Sequence, residues 1–285
     1  MTTKTIITSD PPSFRENIDP IKMLKHIFSY SELIFQFTWF ELVGRYKATF
    51  LGLLWSIINP LMTLAVYTLV FGYILKGRLL STGGPIQVPY SLSLFCGIIV
   101  YNIFSGCISR APQSIIRNRN YVKRVVFPLE ILSVANLCAS LIQAGISLLI
   151  LIPGLIIFSP NFSPTIYMFP LVLLPLCALT LGTSWFLSSL GVFIRDVGQG
   201  INILLHLLFF LSPVVYSLSI VPSSYQSLAR INLLVTILEN ARRTLVWGQS
   251  IEWKWWISIT AVSLIIMQLG YLCFMRRKRK FPDFL

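Results

Sequence analysis

The chain has 285 residues, of which 55% are hydrophobic and only 12% are charged. Soluble domains carry about a quarter charged residues, so a water-soluble fold would leave too much apolar surface uncovered. The sequence therefore predicts an integral membrane protein built from α-helices. The net charge of +13 does not indicate nucleic-acid binding, because the basic residues sit at the ends of apolar runs, where membrane topology accounts for them.

Residues 1–48 precede the first apolar run and are predicted to hold a cytoplasmic tail and an amphipathic helix. Between positions 21 and 46 apolar residues recur at helical spacing, but charged residues interrupt them, so this helix suits the membrane surface better than its interior. Arg45 and Lys47 end it at the cytoplasmic mouth. They can bind an anionic lipid diphosphate there or anchor the chain to headgroups, and the sequence does not separate the two roles.

Six apolar runs are long enough to cross about 30 Å of hydrocarbon at about 1.5 Å per helical residue. Residues 49–275 are therefore predicted to form a six-helix transmembrane part. The Ser212-Pro213 step makes the fifth run the least regular, because proline cannot continue a helical hydrogen-bond ladder. The predicted spans lie near 50–75, 89–110, 130–158, 167–193, 199–221 and 254–275.

The basic residues predict the orientation of this bundle. With the N-terminus inside, most of the 23 lysines and arginines lie in segments that face the cytoplasm, which is the bias that membrane insertion produces. Both termini are then cytoplasmic, as an even number of spans requires. Residues 276–285 form a basic cytoplasmic tail.

Two more segments of the predicted cytoplasmic face have distinctive patterns. The loop 112–128 begins with Pro112, which favours a helix start, and is predicted to form a short helix to about Tyr121. Its basic residues also fit a plain membrane anchor. After the fourth span, Arg195 and Asp196 are predicted to neutralise each other and hold the turn to the fifth span, or to act as an interface anchor.

Residues 222–253, between the fifth and sixth spans, are too polar to cross the membrane. Apolar residues from Leu234 to Leu245 share one helical face and the charged residues lie mostly elsewhere, which predicts a re-entrant or surface helix on the outer side. An external loop packed on the bundle is the alternative. The polar residues of interest here are Asn232, Glu239, Arg242 and Arg243.

Several kinds of chemistry have no counterpart in the sequence. There is no GxxxxGK[ST] phosphate-binding loop, so the chain is not expected to hydrolyse ATP itself. No charged residue lies deep in a span, which disfavours proton or sodium coupling. No catalytic triad, paired carboxylates or metal-ligand cluster is found. We therefore expect neither an enzyme nor a cofactor or metal in this chain.

Short motifs in a fixed order carry a family resemblance. They are Arg45-Tyr46 with Leu51-Gly52 and Trp55, then Phe127-Pro128, Phe193-Ile194-Arg195-Asp196, the run from Ser212 to Tyr216, and Asp283-Phe284. With these motifs the chain resembles the permease subunits of ABC transporters that export polysaccharides such as O-antigen, capsule or teichoic acid. The resemblance implies a homodimeric channel in the inner membrane for a lipid-linked polysaccharide. It also implies two separate ABC ATPase subunits, which would bind ATP and Mg²⁺.

The resemblance implies roles for individual segments as well. The loop 112–128 would dock on the ATPase, Arg195 and Asp196 would serve structure and coupling, and residues 222–253 would cap the exit of the channel as a gate. Asn232-Leu233 stands where many members have Asn-Pro, so the turn that begins this gate differs here. The coupling residues are then Ile115, Ile116, Arg117, Asn118, Arg119, Tyr121, Arg195 and Asp196.

Aromatic residues, 13% of the chain, are candidates for a glycan path. Sugar rings present apolar C–H faces that stack on aromatic planes. Rings in membrane helices also pack against neighbours or form interfacial belts, where we place Trp247 and the tryptophans at 253–256. The candidates in the first, second and fifth spans are Trp55, Tyr67, Tyr101, Phe104, Phe209, Phe210 and Tyr216.

Two other functions stay open. An ABC exporter of drugs or small lipids would share these spans but would not need an aromatic path. A membrane-embedded transferase that modifies glycolipids would need acid–base or metal-binding side chains at one membrane face, and the sequence offers no such group.

Overall fold

The computed structural model describes residues 20–47, 49–74, 88–122, 127–158, 164–218 and 222–284. Within these ranges the regular structure is helical and no β-strand is formed, so the predicted all-α class is confirmed. The predicted N-terminal tail at 1–19 and positions 123–126 of the predicted cytoplasmic loop lie outside the described residues.

Thirteen α-helices follow one another along the described ranges. A 3-10 turn at Gly52–Leu54 leads into the third, a π-helical turn at Thr68–Ile74 extends it, and a 3-10 turn at Pro164–Met168 leads into the eighth. The helices are α1 (Pro20–Ser29), α2 (Ser31–Gly44), α3 (Trp55–Tyr67), α4 (Tyr90–Ile108), α5 (Ala111–Arg117), α6 (Arg119–Val122), α7 (Ile131–Phe158), α8 (Phe169–Phe193), α9 (Val197–Leu211), α10 (Ser223–Ala229), α11 (Leu233–Leu245), α12 (Trp253–Lys278) and α13 (Phe281–Phe284).

Five helical segments among the described residues are long and apolar enough to cross a membrane. They coincide with five of the six predicted spans, so the protein is a multi-pass membrane protein. The predicted fifth span at 199–221 is represented by α9, which has 15 residues and is therefore only about 22 Å long. The five long segments are Gly52–Phe71, Tyr90–Ile108, Ile131–Phe158, Thr165–Phe193 and Trp253–Lys278.

The predicted surface helix before the first span is divided into α1 and α2, which meet at Tyr30. Thr38 and Leu42 are buried on one side of α2, and the Thr38 hydroxyl donates to the carbonyl of Ala135 on α7 at 3.4 Å. The other side of α2 is apolar and exposed, as expected for a helix whose outer face meets lipid. Its exposed residues include Phe35, Trp39 and Phe40.

The centre of the bundle is α4, in which residues 91–100 are all buried. Beside it, α8 and α12 pack along much of their length. A Cβ atom on Gly182 of α8 would lie 2.5 Å from the carbonyl oxygen of Ile266 on α12, and a Cβ atom on Gly270 of α12 would collide with the backbone of Gly182. The two backbones meet because neither glycine carries a side chain, which is a common way for membrane helices to associate.

Both terminal segments lie at one end of the bundle, called the basic end below. Glu130, in the turn before α7, is 1% exposed. Its carboxylate accepts from His26 Nε2 of α1 at 2.9 Å and from Lys278 Nζ of α12 at 2.6 Å. Phe193, at the end of α8, meets the ring of Phe284 with centroids 4.8 Å apart. Residues 212–253 lie at the opposite end, called the far end.

Candidate functional site

A cavity of about 240 Å³, lined by both polar and apolar side chains, opens among α3, α4 and α7. It begins beside Arg45, just after α2, and reaches Phe95 in the first half of α4. Lys47, the second residue of the predicted mouth, is exposed and does not line it. Polar side chains between membrane helices typically face a water-filled space or a solute path. Those lining this cavity include Asn59, Thr63, Asn102, Gln143 and Ser147.

Hydrogen bonds hold Arg45 at the edge of this cavity. Its Nη2 donates to Ser140 Oγ at 3.2 Å, and the hydroxyl of Tyr46 donates to Gln143 Oε1 at 3.3 Å. Burial, together with repulsion from Arg110, lowers the pKa of Arg45 to about 10. The guanidinium therefore stays positive at neutral pH. The cavity presents a fixed cation at the basic end, which suits an anionic group.

The predicted aromatic path is only partly assembled within one copy of the chain. Tyr101 of α4 meets Phe209 of α9 with ring centroids 5.3 Å apart, and Phe209 meets Phe210 at 5.4 Å. The Tyr101 hydroxyl donates to the carbonyl of Leu205. Tyr101 and Phe104 are buried in the core, whereas Phe210 is 69% exposed. Tyr101, Phe209 and Phe210 therefore form one cluster, in which Phe210 is the exposed ring.

The other aromatic candidates lie apart from this group. Tyr67 stacks on Phe71 at 6.0 Å, and Trp55 is half-buried at the start of α3. Tyr216 lies in the turn after α9, and its hydroxyl donates to the carbonyl of Phe210 at 3.3 Å. Among the seven predicted rings, Phe210 is the one that exposes most of its surface. The role of these rings in a path stays a prediction.

The predicted cytoplasmic helix at 112–121 is formed by α5 and α6. Pro112 and Ile115 are buried where α5 packs on α8, and Ile115 is only 1% exposed. Tyr121 packs on Phe127 with ring centroids 4.9 Å apart. The Ile115 side chain therefore belongs to the core of this chain. The other predicted coupling residues are at or near the surface: Arg117, Arg119 and Tyr121 are exposed, and Ile116 and Asn118 are half-buried.

Arg195 and Asp196 are both exposed in the turn between α8 and α9. The Asp196 carbonyl accepts from the backbone N–H of Gln199 at 3.0 Å, which begins α9. Within the described residues no ion pair joins the two side chains. The turn is therefore held by backbone hydrogen bonds, and the predicted mutual neutralisation is not formed.

The predicted amphipathic helix between the fifth and sixth spans is present as α11, but the burial of one residue differs from the prediction. Leu234, Leu238 and Ala241 are buried, as the pattern indicates. Arg242, expected on the polar face, is 2% exposed. The prediction for Arg242 is wrong because α11 packs on α4, α8 and α12, so apolar and polar sides alike are covered. Trp247, assigned to the interfacial belt, is also buried.

The other three residues predicted for the gate also make polar contacts in or beside α11. Asn232 caps the helix, since its Oδ1 accepts from the N–H of Leu234 at 3.1 Å. Glu239 Oε1 accepts from the hydroxyl of Ser217 at 3.4 Å. Arg243 donates to the carbonyl of Ser250 at 3.0 Å. Asn232, Glu239 and Arg242 thus bind the segment at 212–217, whereas Arg243 binds Ser250 and Glu252 just before α12.

Glu252 is a charged residue of the far end that the sequence did not single out. Its carboxylate pairs with Arg230 at 2.9 Å and with Arg243 at 3.1 Å. The Arg230 guanidinium also lies 4.7 Å from the ring centre of Trp255. One carboxylate therefore joins α10, α11 and the start of α12. The only sequence signal was a lone acidic residue beside a tryptophan-rich helix start, which is too common to be specific.

The described residues define a class of protein: an all-helical, multi-pass membrane protein with a partly polar cavity among its spans and charged residues in contact at both ends. Such an arrangement is typical of the membrane subunits of transporters. The model of the ABC-2 type transporter family matches residues 32–246. The chain belongs to this family.

Several relatives are similar to the chain over most of its length. The O-antigen export system permease protein RfbA of Klebsiella pneumoniae is 24% identical over 272 residues, which cover 93% of this chain and 99% of that protein. The protein of the same name from Myxococcus xanthus is 24% identical over 269 residues, covering 92% and 99%. The polysialic acid transport protein KpsM of Escherichia coli is 25% identical over 236 residues, covering 79% and 87%.

Proposed function

We propose that this chain is the permease subunit of an ABC transporter that exports a lipid-linked polysaccharide, such as an O-antigen, across the cytoplasmic membrane. The observation that carries the proposal is the near end-to-end similarity to two O-antigen export permeases, which the chain matches over 99% of their length. The similarity to a polysialic acid transport protein points to the same class of cargo.

The proposed topology has six crossings and cytoplasmic termini. The fifth crossing consists of α9 and the irregular residues 212–218 that follow it, since α9 alone is too short. The basic end then faces the cytoplasm and the far end faces outward. Support comes from the shared position of the terminal helices at the basic end and from the positive-inside rule.

Two copies of the chain are proposed to enclose the channel. The apolar faces of α3 and α9 are exposed in the single chain, where a channel-forming partner or lipid must cover them. With α9 from both copies at the interface, Phe210 would stand beside the path and Tyr101 and Phe209 behind it. The exposed residues on the two helices include Leu61, Met62, Val66, Ile203, Leu207 and Leu211.

The cytoplasmic mouth is proposed to receive the phosphates of the lipid carrier. Arg45 supplies a guanidinium that can bind a phosphate through two N–H groups, and Lys47 supplies a second, exposed charge. The hydroxyl and amide groups that line the cavity beyond Arg45 offer hydrogen bonds to sugar hydroxyls. Arg45 thus belongs to the wall of a cavity as well as to the membrane surface.

Energy is proposed to come from two ATPase subunits that bind ATP and Mg²⁺ and dock at α5, α6 and the Arg195–Asp196 turn. The buried Ile115 ties α5 to α8, and α8 packs along α12. Movement of the ATPases would therefore reach two spans through rigid contacts. Residues 222–253 would close the outer exit between cycles.

The decisive experiment is deletion of the gene followed by complementation. We expect surface glycan to be lost on deletion and restored by the wild-type chain, and an ATPase subunit to co-purify with a tagged chain. Unchanged surface glycan after deletion contradicts the proposal. If the ATPase co-purifies but only drug or small-lipid export is lost, the chain is an exporter of small molecules. Turnover of a glycolipid by the purified chain alone would identify an enzyme.

A further inference from the structure

The fifth crossing ends in backbone that is not helical. The last helical hydrogen bond of α9 runs from the N–H of Ser212 to the carbonyl of Leu208 at 2.8 Å. Pro213 follows and has no N–H to donate. The helix covers about 22 Å, so residues 212–218 must span the rest of about 30 Å of hydrocarbon. Irregular backbone at that depth is stable only where the protein itself supplies hydrogen-bond partners.

Arg242 of α11 supplies three donors to backbone carbonyls at this place. Its Nη2 donates to Val214 at 2.6 Å, its Nη1 donates to Tyr216 at 2.9 Å, and its Nε donates to Ser93 of α4 at 3.2 Å. A guanidinium removed from water is costly unless its N–H groups are paired. Glu239, 3.8 Å away, adds an opposite charge. One side chain therefore joins the irregular segment, α4 and α11.

Two further bonds attach α11 to the same segment. Asn232 Nδ2 donates to Ser212 Oγ at 2.9 Å, and Ser217 Oγ donates to Glu239 Oε1 at 3.4 Å. Together with the Arg242 bonds they fix the segment at its start, middle and end.

The Arg242 guanidinium fits against α4 because Gly97 has no side chain. A Cβ atom on Gly97 would lie 2.6 Å from Arg242 Nη2 and 2.9 Å from the carbonyl oxygen of Val214. Real Cβ atoms do not approach other atoms so closely, so any side chain at Gly97 would displace the guanidinium or the turn. On the same helix, a Cβ on Gly106 would meet its nearest neighbour, Ser140 Oγ, at an ordinary 3.5 Å.

We propose that Arg242 is a positioning residue that fixes residues 212–216 to α4 and α11, so that these residues do not move when the channel exit opens. Opening then depends on other far-end segments, of which α10 has the exposed side chains Tyr225, Leu228 and the following Ile231. The proposal deepens the export function proposed above and rests on the six-span topology. It changes the predicted role of Arg242 from a moving gate residue to a fixed support.

The test compares Arg242→Lys and Gly97→Ala with the matched control Gly106→Ala in the full-length chain purified in detergent. Lysine keeps the charge but loses the planar fork, so it cannot serve three carbonyls at once. We expect amide hydrogen exchange in peptides covering 212–218 to be about tenfold faster in both variants. Exchange in α8 and α12 should stay unchanged, and Gly106→Ala should match the wild type throughout.

Two results would overturn the positioning role. One is wild-type exchange at 212–218 in both variants. The other is faster exchange spread equally over α8 and α12, which would show a general loss of stability. In the deletion strain we expect Arg242→Lys and Gly97→Ala to restore less surface glycan than the wild-type chain at equal amounts of membrane-inserted chain. If the wild-type chain itself restores none, the export function fails, while the exchange experiment still decides the role of Arg242.

Discussion

Glu130 connects several helices at the basic end. It is almost fully buried, and its carboxylate binds His26 of α1 and Lys278 of α12, while its backbone carbonyl accepts from the indole of Trp185 at 3.0 Å. The residue therefore joins α1, α8 and α12 at the start of α7. Removing the charge of such a buried carboxylate destabilises the fold, because its two partners then lose their charged acceptor.

We expect Glu130→Gln to lower the free energy of unfolding by about 2 kcal/mol, the usual worth of hydrogen bonds to a charged group. The measurement is thermal unfolding of the full-length chain in detergent. The matched control is Glu32→Gln, which removes a carboxylate from the exposed surface of α2 and should leave the midpoint unchanged. Equal midpoints for the two variants would contradict the assigned role of Glu130.

The same carboxylate predicts a loss of stability in acid. Burial alone would raise the pKa of Glu130, but the bonds from His26 and the charge of Lys278 outweigh it and hold the pKa below its usual range. Since the folded pKa is depressed, this stabilisation is present above the carboxyl pKa of the unfolded chain. It is lost as the pH falls through the folded pKa.

The pH experiment follows the melting midpoint of the wild type and Glu130→Gln through the acidic range. We expect the wild-type advantage to shrink as the pH falls below the usual carboxyl range, and the two curves to converge. A constant gap down to the lowest pH at which the chain stays soluble would show that the charge of Glu130 is not what stabilises the fold.

Single residues of this kind mark the limit of sequence reasoning. Glu130 lies 148 positions from Lys278 along the chain, and no local pattern indicates that they meet. Arg242 was assigned to a polar helix face because the sequence indicates α11 itself. It does not indicate that α4 packs there and that the Ser93 carbonyl accepts from Arg242. By contrast, the burial of Leu234 and Leu238 was predictable, because the spacing of apolar residues repeats within one helix.

At the scale of helices, the close contact between α8 and α12 predicts that replacing Gly182 is costly. We expect Gly182→Ala to destabilise the protein by about 1–3 kcal/mol, as overpacking in a tight core does. The reason is that the added Cβ would lie 2.5 Å from a backbone carbonyl of α12, which cannot rotate away as a side chain can. Thermal unfolding and the yield of membrane-inserted chain are the measurements.

Gly145 in α7 is the matched control for this substitution. A Cβ there has no neighbour within 4 Å, so Gly145→Ala should be neutral or slightly stabilising, since alanine favours helix more than glycine does. If both variants behave alike, the cost arises from helix propensity or from expression, and close packing of α8 on α12 is not the cause.

Helix boundaries were predictable wherever hydrophobic length decides them. Five predicted spans coincide with long helices, because a helix that crosses a bilayer needs about 20 apolar residues. The sequence indicated that Pro213 disturbs its span, but it did not show why other prolines in the spans do not. Pro60, Pro153 and Pro175 lie inside helices, whereas Pro213 ends α9. The difference lies in tertiary partners, since the freed carbonyls after Pro213 are bound by Arg242 of another helix.

At the scale of the whole molecule, the basic end has both the charge and the mechanical contacts that an ATPase partner requires. Arg117 and Arg119 are exposed on α5 and α6, and α5 is attached to α8 through the buried Ile115. Charge on the surface steers association and fixes the register of a docked partner. Buried contacts behind the surface transmit displacement because packed cores deform little.

We therefore expect Arg117→Glu combined with Arg119→Glu to reduce co-purification of the ATPase subunit by about tenfold or more, because like-charge contact at an interface costs several kcal/mol. Surface glycan should fall with it, while the melting midpoint of the chain stays near the wild-type value, since both side chains are exposed.

The matched control is Lys254→Glu, which reverses an exposed charge at the far end and should leave both readouts unchanged. If the control loses the ATPase equally, the effect is one of net charge. If the double variant retains the ATPase and full export, docking occurs elsewhere on the basic end and the predicted coupling role of α5 and α6 is wrong.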